Sequence, residues 1–300
     1  MAASKPEYPL VTAILPSFNH RRFVEQSIRS VIGQTYANIQ LIVVDDGSTD
    51  GSPELIRALA EEFEFEFVQQ ANAGLIETLN RAKKRVRGKY VALTASDDYW
   101  HLEKTARQVR FLQENPDYAL VHSRIRYVDE HSIEGREIRE PCFSGRVFPQ
   151  LLLAEFHVHG LSALVRADIF SEFEYGRFYI DDLYMWLKIA ERYPIGYLDE
   201  PLAYYRRHNN HLTGNPERMM RGEKDILDQF SSSEYYSEAI MRWRERWFQH
   251  WASRPGTPCS KEAIAIGKAL LANGRWSMAV LSGWLRLGWT CVRAMLVSRG

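Results

Sequence analysis

Tyr90-Val91-Ala92-Leu93-Thr94-Ala95-Ser96-Asp97-Asp98-Tyr99-Trp100 is an apolar run that stops on an acidic turn. A short continuous apolar run bounded by turn residues is the signature of a buried strand, here Tyr90 to Leu93. Ser96, Asp97 and Asp98 then fall at its carboxyl end, where open α/β sheets bind ligands. Adjacent carboxylates at such an edge can hold a hard divalent cation against a phosphate. The same text also fits a solvated turn or a helix N-cap at Asp98.

The segments upstream give this strand its neighbours. Leu10 to Leu15 is an apolar run between Pro9 and Pro16, followed by the loop Pro16-Ser17-Phe18-Asn19. Helical spacing over Phe23 to Ile32 and a second apolar run, Ile39 to Val44, make a strand–helix–strand unit, the building block of a parallel sheet. The second strand ends in Asp45-Asp46-Gly47-Ser48-Thr49-Asp50-Gly51-Ser52, another polar turn at a carboxyl edge. A helix is expected from Pro53 to Phe63, then a strand on the alternation of Phe63, Phe65 and Phe67 with Glu64 and Glu66. Asn72-Ala73-Gly74 opens a helix to about Val86. Its basic end, Lys83 to Arg87, suits a helix C-terminus and needs no nucleic acid to explain it.

Downstream, a helix is expected over Leu102 to Gln113 and a strand over Tyr118 to Val128. A loop follows over Asp129 to Gly145, then a short helix over Val147 to Phe156 and a strand over Leu161 to Val165. His157-Val158-His159-Gly160 has two histidines one residue apart, which face opposite sides of an extended chain. That disfavours a metal and favours acceptor contact. Tyr179-Ile180-Asp181-Asp182 opens a helix to Arg192 whose apolar face is Leu183, Trp186, Leu187 and Ala190. Short strands over Ile195 to Leu198 and Leu202 to Arg206 lead to the basic, polar loop Arg206-Arg207-His208-Asn209-Asn210-His211. Beyond about residue 215 the pattern becomes helical: Tyr235 to Ala252, Lys261 to Ala272 and Trp276 to Val297. In the last of these, Arg275, Ser282, Arg286 and Arg293 lie within about 20° of one line. Such a helix suits a membrane interface, packing on the body of the chain or a homodimer contact.

The chain has 300 residues, 45% hydrophobic and 25% charged, enough for one large domain or one with an appendage. Residues 1–215 and 216–300 are the expected division. The net charge is zero but uneven: residues 241–300 carry ten Lys/Arg against two acids, so residues 1–240 carry 28 against 36. A basic tail on an acidic body suits an anionic surface. Three scattered cysteines form no metal or disulfide pattern and fit a reducing compartment. Neither an N-terminal signal core nor an apolar run of about 18 residues is present. The expected location is cytoplasmic, at most peripheral on the inner membrane face.

Together, Val11-Thr12-Ala13-Ile14-Leu15-Pro16-Ser17-Phe18-Asn19, the Asp45–Ser52 block, Asn72-Ala73-Gly74, the Gly88–Trp100 block, Ile180-Asp181-Asp182-Leu183 and Pro201 to His208 resemble family 2 glycosyltransferases of the GT-A fold. The resemblance covers about residues 9–212 and excludes the tail. It implies an α/β fold with a mostly parallel sheet flanked by helices, here carrying a C-terminal helical appendage. It implies inverting transfer from a nucleotide-diphosphate sugar, a UDP-sugar first among them, to a glycan or lipid-linked acceptor in surface polysaccharide synthesis, with Mg²⁺ or Mn²⁺.

By position, the resemblance assigns the donor to Pro16, Ser17, Phe18, Asn19, Asp45, Asp46, Asn72, Gly74, Ser96 and Asp97. Metal ligation falls to Asp97, Asp98 and His208, and acceptor contact to His159, Gly160 and Trp100. Asp182 is the implied base, with Asp181 beside it. The family's metal motif has a further Asp where this chain has Ala95, and its Ala-Arg-Asn reads Thr78-Leu79-Asn80 here. A non-catalytic sugar-nucleotide-binding scaffold of the same fold is the alternative those departures leave. A dinucleotide dehydrogenase is disfavoured because no G-x-G-x-x-G follows a strand. The Pro16–Asn19 loop likewise lacks the glycine-rich, basic text expected of a nucleotidyltransferase.

Overall fold

The computed structural model describes residues 8–135, 141–208, 215–252, 261–274 and 280–285. The chain divides into two compact units. The first, up to Leu151 and from Glu155 to Asn215, is built on an eight-stranded sheet. Its strands are β1 Val11–Ser17, β2 Ile39–Asp45, β3 Glu66–Gln69, β4 Tyr90–Leu93, β5 Tyr99–Trp100, β6 Leu120–Val128, β7 Leu164–Arg166 and β8 Ile195–Arg206. Their order across the sheet is β3-β2-β1-β4-β7-β6-β8-β5.

The first four strands in that order are parallel, joined through α1 Val24–Ile32, α2 Ser52–Phe63 and α3 Leu75–Lys83. Both faces of β1, β2 and β4 are covered, which explains why they read as unbroken apolar runs rather than alternations. The core gathers Leu15, Ile28, Val43, Tyr90, Val109 and Leu164. β7 runs antiparallel to β4 and to β6, and β8 runs parallel to β6. Two reversals restore the direction, so β8 points the same way as β1, β2 and β4. Their carboxyl ends, Ser17, Asp45, Leu93 and Arg206, therefore share one edge.

Several boundaries differ from the sequence reading. The Phe63–Phe67 alternation is divided: α2 runs to Phe63, Glu64 is left-handed at φ 56°, and β3 starts at Glu66. Helix propagation carries Phe63 into the last turn of α2, and only the residues beyond the left-handed cap reach the ladder. The two short strands expected over residues 195–206 are one strand, β8, with an irregular register opposite Ser123 and Arg124. β5 is an unexpected two-residue strand whose Tyr99 ring stacks on Tyr204 at 4.5 Å. Trp100 is 3% exposed in the core, under the Lys104 ammonium at 4.2 Å. Trp100, assigned to acceptor contact from sequence, has its indole enclosed by the protein's own packing.

Helix α4, Lys104–Glu114, and α7, Asp181–Arg192, complete this unit with the short helices α5 Phe148–Leu152 and α6 Ala167–Ser171. α7 leads into β8 through only Tyr193 and Pro194 and must double back on it. That returns the helix N-terminus, with Asp181 and Asp182, toward the carboxyl edge. In the basic stretch at the end of α3, Lys83 Nζ is hydrogen-bonded to Phe173 O and Arg85 is paired with Glu66.

The second unit, Leu152–Ala154 with residues from Pro216 onward, holds α8 Pro216–Asp228, α9 Tyr236–Ala252 and α10 Lys261–Ala272. Phe248 is fully buried among Ala252, Leu270 and Val280. Gly267 and Gly283 make room for its ring: a Cβ on either would lie 2.6 Å or less from a Phe248 carbon. No described helix is long and apolar enough to cross a membrane. Of the basic stripe expected on the last helix, Arg275, Arg286 and Arg293 lie outside the described residues.

Candidate active site at the carboxyl edge

The loop after β1 and the loop after β2 are stapled to each other. Asn19, left-handed at φ 54°, donates its N–H to Ser48 Oγ at 2.8 Å and accepts the Thr49 N–H on Oδ1 at 2.8 Å. Asn tolerates that conformation better than most residues. Asp50 accepts the Arg21 N–H at 2.8 Å. Asp45 is fully buried and accepts the Ser48 N–H and hydroxyl at 2.9 and 2.6 Å. Asp46 accepts from Gln70 Nε2, Ala73 N–H and Gly74 N–H, each at 2.8 Å. Burial opposes its charge, but those hydrogen bonds prevail and hold its carboxyl below the usual range.

Asp45 and Asp46 thus hold these loops in place. Gly47, at φ 77°, is pressed against Asn72: a Cβ there would lie 2.7 Å from the Asn72 nitrogen. Pro16 lies inside β1, and Phe18 is 46% exposed at the rim. Ser17 is buried, and its Oγ has no hydrogen-bond partner among the described residues.

A second group lies after β4. Asp97 Oδ2 is 2.9 Å from His208 Nε2. Ligand atoms of His20, Asp97 and His208 all lie within 4.8 Å of one another. His20 Nδ1 is 2.8 Å from Ser96 Oγ. Burial lowers the His20 pKa, with the Asp97 charge opposing and His208 assisting. Asp98, assigned to the metal from sequence, lies outside this cluster. It is 5% exposed, and its Oδ1 accepts the Arg206 N–H at 2.8 Å. Burial, then the adjoining Asp97 charge, pushes the Asp98 carboxyl well up.

Arg206 ties these parts together. It is 1% exposed and donates to Asp97 O at 2.8 Å, Asp129 O and Ser132 Oγ at 3.0 Å, and Gln26 Oε1 at 2.6 Å. Its guanidinium lies 4.7 Å from the Phe23 ring centroid, and Phe23 also packs on His208. Neither His20 nor Arg206 was singled out from sequence. Both sit at the carboxyl end of a strand, so position alone was the available signal.

The acidic pair of α7 divides its work. Asp181 accepts the Gly176 and Phe178 N–H groups, both at 2.7 Å, and fixes the loop before the helix. Asp182 Oδ1 accepts the Leu183 N–H at 2.9 Å, while a Cβ on Gly160 would lie 3.6 Å from Oδ2. Burial pushes the Asp182 carboxyl up against that hydrogen bond, and the Asp181 charge adds to the rise. Tyr175, whose buried hydroxyl has no partner among the described residues, is held neutral by burial and then by Asp182 and Asp181.

Gly160 begins the 3₁₀ turn Gly160–Ser162, which packs against β4. His159 is half-buried at its start and accepts the Ser162 N–H and hydroxyl on its carbonyl oxygen. The turn thus bridges the Asp182 side of the edge to the strand that leads to Asp97. Asn80 braces the same side: it donates to Tyr175 O at 3.0 Å and accepts from Tyr175 N at 3.1 Å.

The arrangement has relatives. An uncharacterized glycosyltransferase of Rickettsia bellii is 30% identical over 234 residues, 76% of this chain and 33% of that protein. The chain therefore spans about a third of the length of that relative, as it does of those from Rickettsia conorii and Rickettsia felis. The Escherichia coli protein WfgD, a UDP-Glc:alpha-D-GlcNAc-diphosphoundecaprenol beta-1,3-glucosyltransferase, is 24% identical over 74% of this chain and 86% of its own. Residues 1–349 of Staphylococcus aureus TarS, solved in complex with UDP-GlcNAc, superpose with a TM-score of 0.63 at 17% identity. The match covers 81% of this chain and 73% of that one, and the shared fold is GT-A. The profile of glycosyl transferase family 2 matches residues 12–173, more than half of the chain and the whole run from β1 past β7. On its edge of paired loops and on that match, the chain belongs to glycosyl transferase family 2.

Proposed function

We propose that this chain transfers a sugar, with inversion, from a nucleotide-diphosphate sugar to a glycan or lipid-linked acceptor in the assembly of a surface polysaccharide. The observation that carries the reading is the pairing, on one sheet edge, of the His20–Asp97–His208 cluster with a carboxyl of raised pKa, Asp182, beside Gly160. A UDP-sugar is the first donor to test, since TarS is solved with UDP-GlcNAc and WfgD is named for UDP-Glc. Pro16–Asn19, Asp45, Asp46 and the Asn72–Gly74 turn form the donor side, where the unpartnered Ser17 Oγ offers a buried hydrogen bond to the nucleoside. His159 and Gly160 form the acceptor side.

In the reaction, the acceptor hydroxyl oxygen attacks the anomeric carbon as the bond to the diphosphate oxygen breaks. Asp182 takes the hydroxyl proton; its raised pKa makes it a better base than an ordinary carboxylate. A single displacement needs base and leaving group on opposite faces of the sugar, hence inversion. The donor set of two imidazoles and a carboxylate fits a divalent cation, which supplies charge neutralisation to the departing diphosphate. Location follows the same reading: a peripheral association of the basic C-terminal region with the inner membrane face, where lipid-linked acceptors are met.

The test is donor hydrolysis and transfer across a panel of nucleotide sugars, comparing the wild type with Asp182→Asn. Turnover with one donor, lost by about 10³-fold or more in the variant, is expected, the scale of a missing general base. Full activity in the variant overturns the assignment of the base. Donor binding without turnover on any acceptor supports a scaffold instead.

A further inference from the structure

The cation seat contains a residue that the metal motif does not supply. His20 comes from the loop after β1, Asp97 from the loop after β4 and His208 from beyond β8, and their ligand atoms converge within 4.8 Å. Asp98, the sequence neighbour of Asp97, is committed to the backbone of Arg206. At Ala95, where a further carboxylate is expected, the carbonyl oxygen accepts the Ser27 hydroxyl at 2.8 Å and the side chain offers no ligand.

The His20 ring is held as ligating histidines are held. Nδ1 is engaged with Ser96 Oγ at 2.8 Å, which leaves Nε2 as the ligating nitrogen. Its ring meets His208 edge-on, with centroids 5.5 Å apart at 84°, and Phe23 packs against both rings. The His208 and Asp97 side chains are only 8% and 14% exposed, so the ligand atoms converge in a largely enclosed seat.

We propose that His20 is the third protein ligand of the cation site, and that the resulting two-imidazole, one-carboxylate set makes this enzyme select Mn²⁺ over Mg²⁺. The inference deepens the proposed function, since the cation serves the leaving diphosphate of that reaction. Mg²⁺ prefers oxygen ligands and keeps its water, whereas Mn²⁺, which shares the preference for oxygen, also opens the first-row series whose members nitrogen ligands bind. Ser96 becomes a positioning residue for His20, which links the acidic turn after β4 to the loop after β1 by a second route.

The test is binding of Mn²⁺ alone to the full chain, followed by loss of the free-ion EPR signal, with Mg²⁺ as competitor. Pulsed EPR of the bound ion counts coordinated imidazoles. The wild type is expected to bind Mn²⁺ at least tenfold more tightly than Mg²⁺ and to show two imidazole nitrogens. His20→Gln is expected to weaken Mn²⁺ binding by more than tenfold and to leave one nitrogen, while Ser96→Ala weakens it by about tenfold with both retained. Equal melting temperatures and far-UV circular dichroism without metal verify that the variants are folded. Two coordinated nitrogens in His20→Gln, or Mg²⁺ binding as tightly as Mn²⁺ in the wild type, overturns the proposal. Metal-free sugar transfer that still depends on Asp182 would sink this inference and leave the transferase reading intact. Two-imidazole Mn²⁺ binding with no transfer to any acceptor does the reverse.

Discussion

Lys104 is a buried amine with no carboxylate paired to it among the described residues, and its replacement by Met should change stability by an amount that depends on pH. The side chain is 0% exposed. Nζ is 2.8 Å from Gln108 Oε1 and 3.4 Å from Ala163 O, and it sits 4.2 Å from the Trp100 ring centroid. Burial alone lowers its pKa from 10.5 to about 7. That displacement corresponds to about 5 kcal/mol of cost for carrying the charge inside. Between about pH 7 and 10.5 the unfolded chain binds this proton and the folded chain does not, so this group makes stability rise with pH across that window. Below about pH 7 both states carry it and the full cost is present.

Lys104→Met removes that cost but strands Gln108 Oε1, at about 1–3 kcal/mol, and gives up a cation–π contact of about 1–2 kcal/mol. At pH 6 the variant should therefore be more stable by about 1–2 kcal/mol. At pH 9 only about 2 kcal/mol of the wild-type cost remains and the neutral folded amine has no cation–π contact to give up, so the two proteins should be about equally stable. Urea unfolding at both pH values reads the difference between the two proteins, in which other titrations cancel. The gap between midpoints should move by about 0.5 M for an m-value of about 3 kcal/mol/M. A gap independent of pH would show that the amine keeps an ordinary pKa and would refute the reasoning. The same residues matter to the site, because Gln108 Nε2 donates to Ser162 O at 2.6 Å and so pins the turn that carries Gly160.

Arg206→Leu removes four side-chain hydrogen bonds and should destabilise the chain by about 3–5 kcal/mol, read as a lower melting temperature; Arg206→Lys should recover only a minor part, because an ammonium lacks the planar fork. Gly47→Ala should cost about 1–3 kcal/mol and weaken nucleotide binding measured by calorimetry, since its Cβ would lie 2.7 Å from the Asn72 backbone at a φ of 77°. The rate of Asp182-dependent transfer should rise with pH through a Asp182 pKa above the ordinary carboxylate value, and a pH–rate profile with its acid limb at that ordinary value would contradict the burial of Asp182.

What was legible in the sequence followed from local pattern. The apolar runs of β1, β2 and β4 and the polar turns that end them place the carboxyl edge almost to the residue. Helices α1 and α7 were legible for the same reason, since an amphipathic face leaves a 3.6-residue trace. β5 left no trace because two residues carry no period; Tyr99 and Trp100 join the sheet only through pairing with Tyr204 and Ala203, about a hundred positions away. The enclosure of Trp100 was equally out of reach, since it depends on the fold of the Lys104 side chain, at the start of α4, back over the indole. His20 and Arg206 act through partners 76 and 180 residues distant, Ser96 and Gln26, which no window along the chain can connect.

The replacement of a carboxylate by Ala95 reads differently once those distant partners are in view. A site built on several carboxylates attracts a cation strongly but also repels the diphosphate that must approach it. Here Asp97 is the single carboxylate of the ligand cluster, while Asp98 is buried beside it and pushed toward its neutral form. The Arg206 guanidinium is fixed at the back of the same turn through Asp97 O, and its charge draws on both acids. Ligation has moved from charged oxygens to neutral imidazole nitrogens, and the remaining negative charge is balanced from behind by a buried cation. Such a site gives up electrostatic attraction for Mg²⁺, retains directed bonds to a softer ion and leaves more of the cation's charge unspent for the phosphate oxygens of a donor. On this reasoning the departure at Ala95 is a change of ligand chemistry, with Asp182 left in place to take the proton.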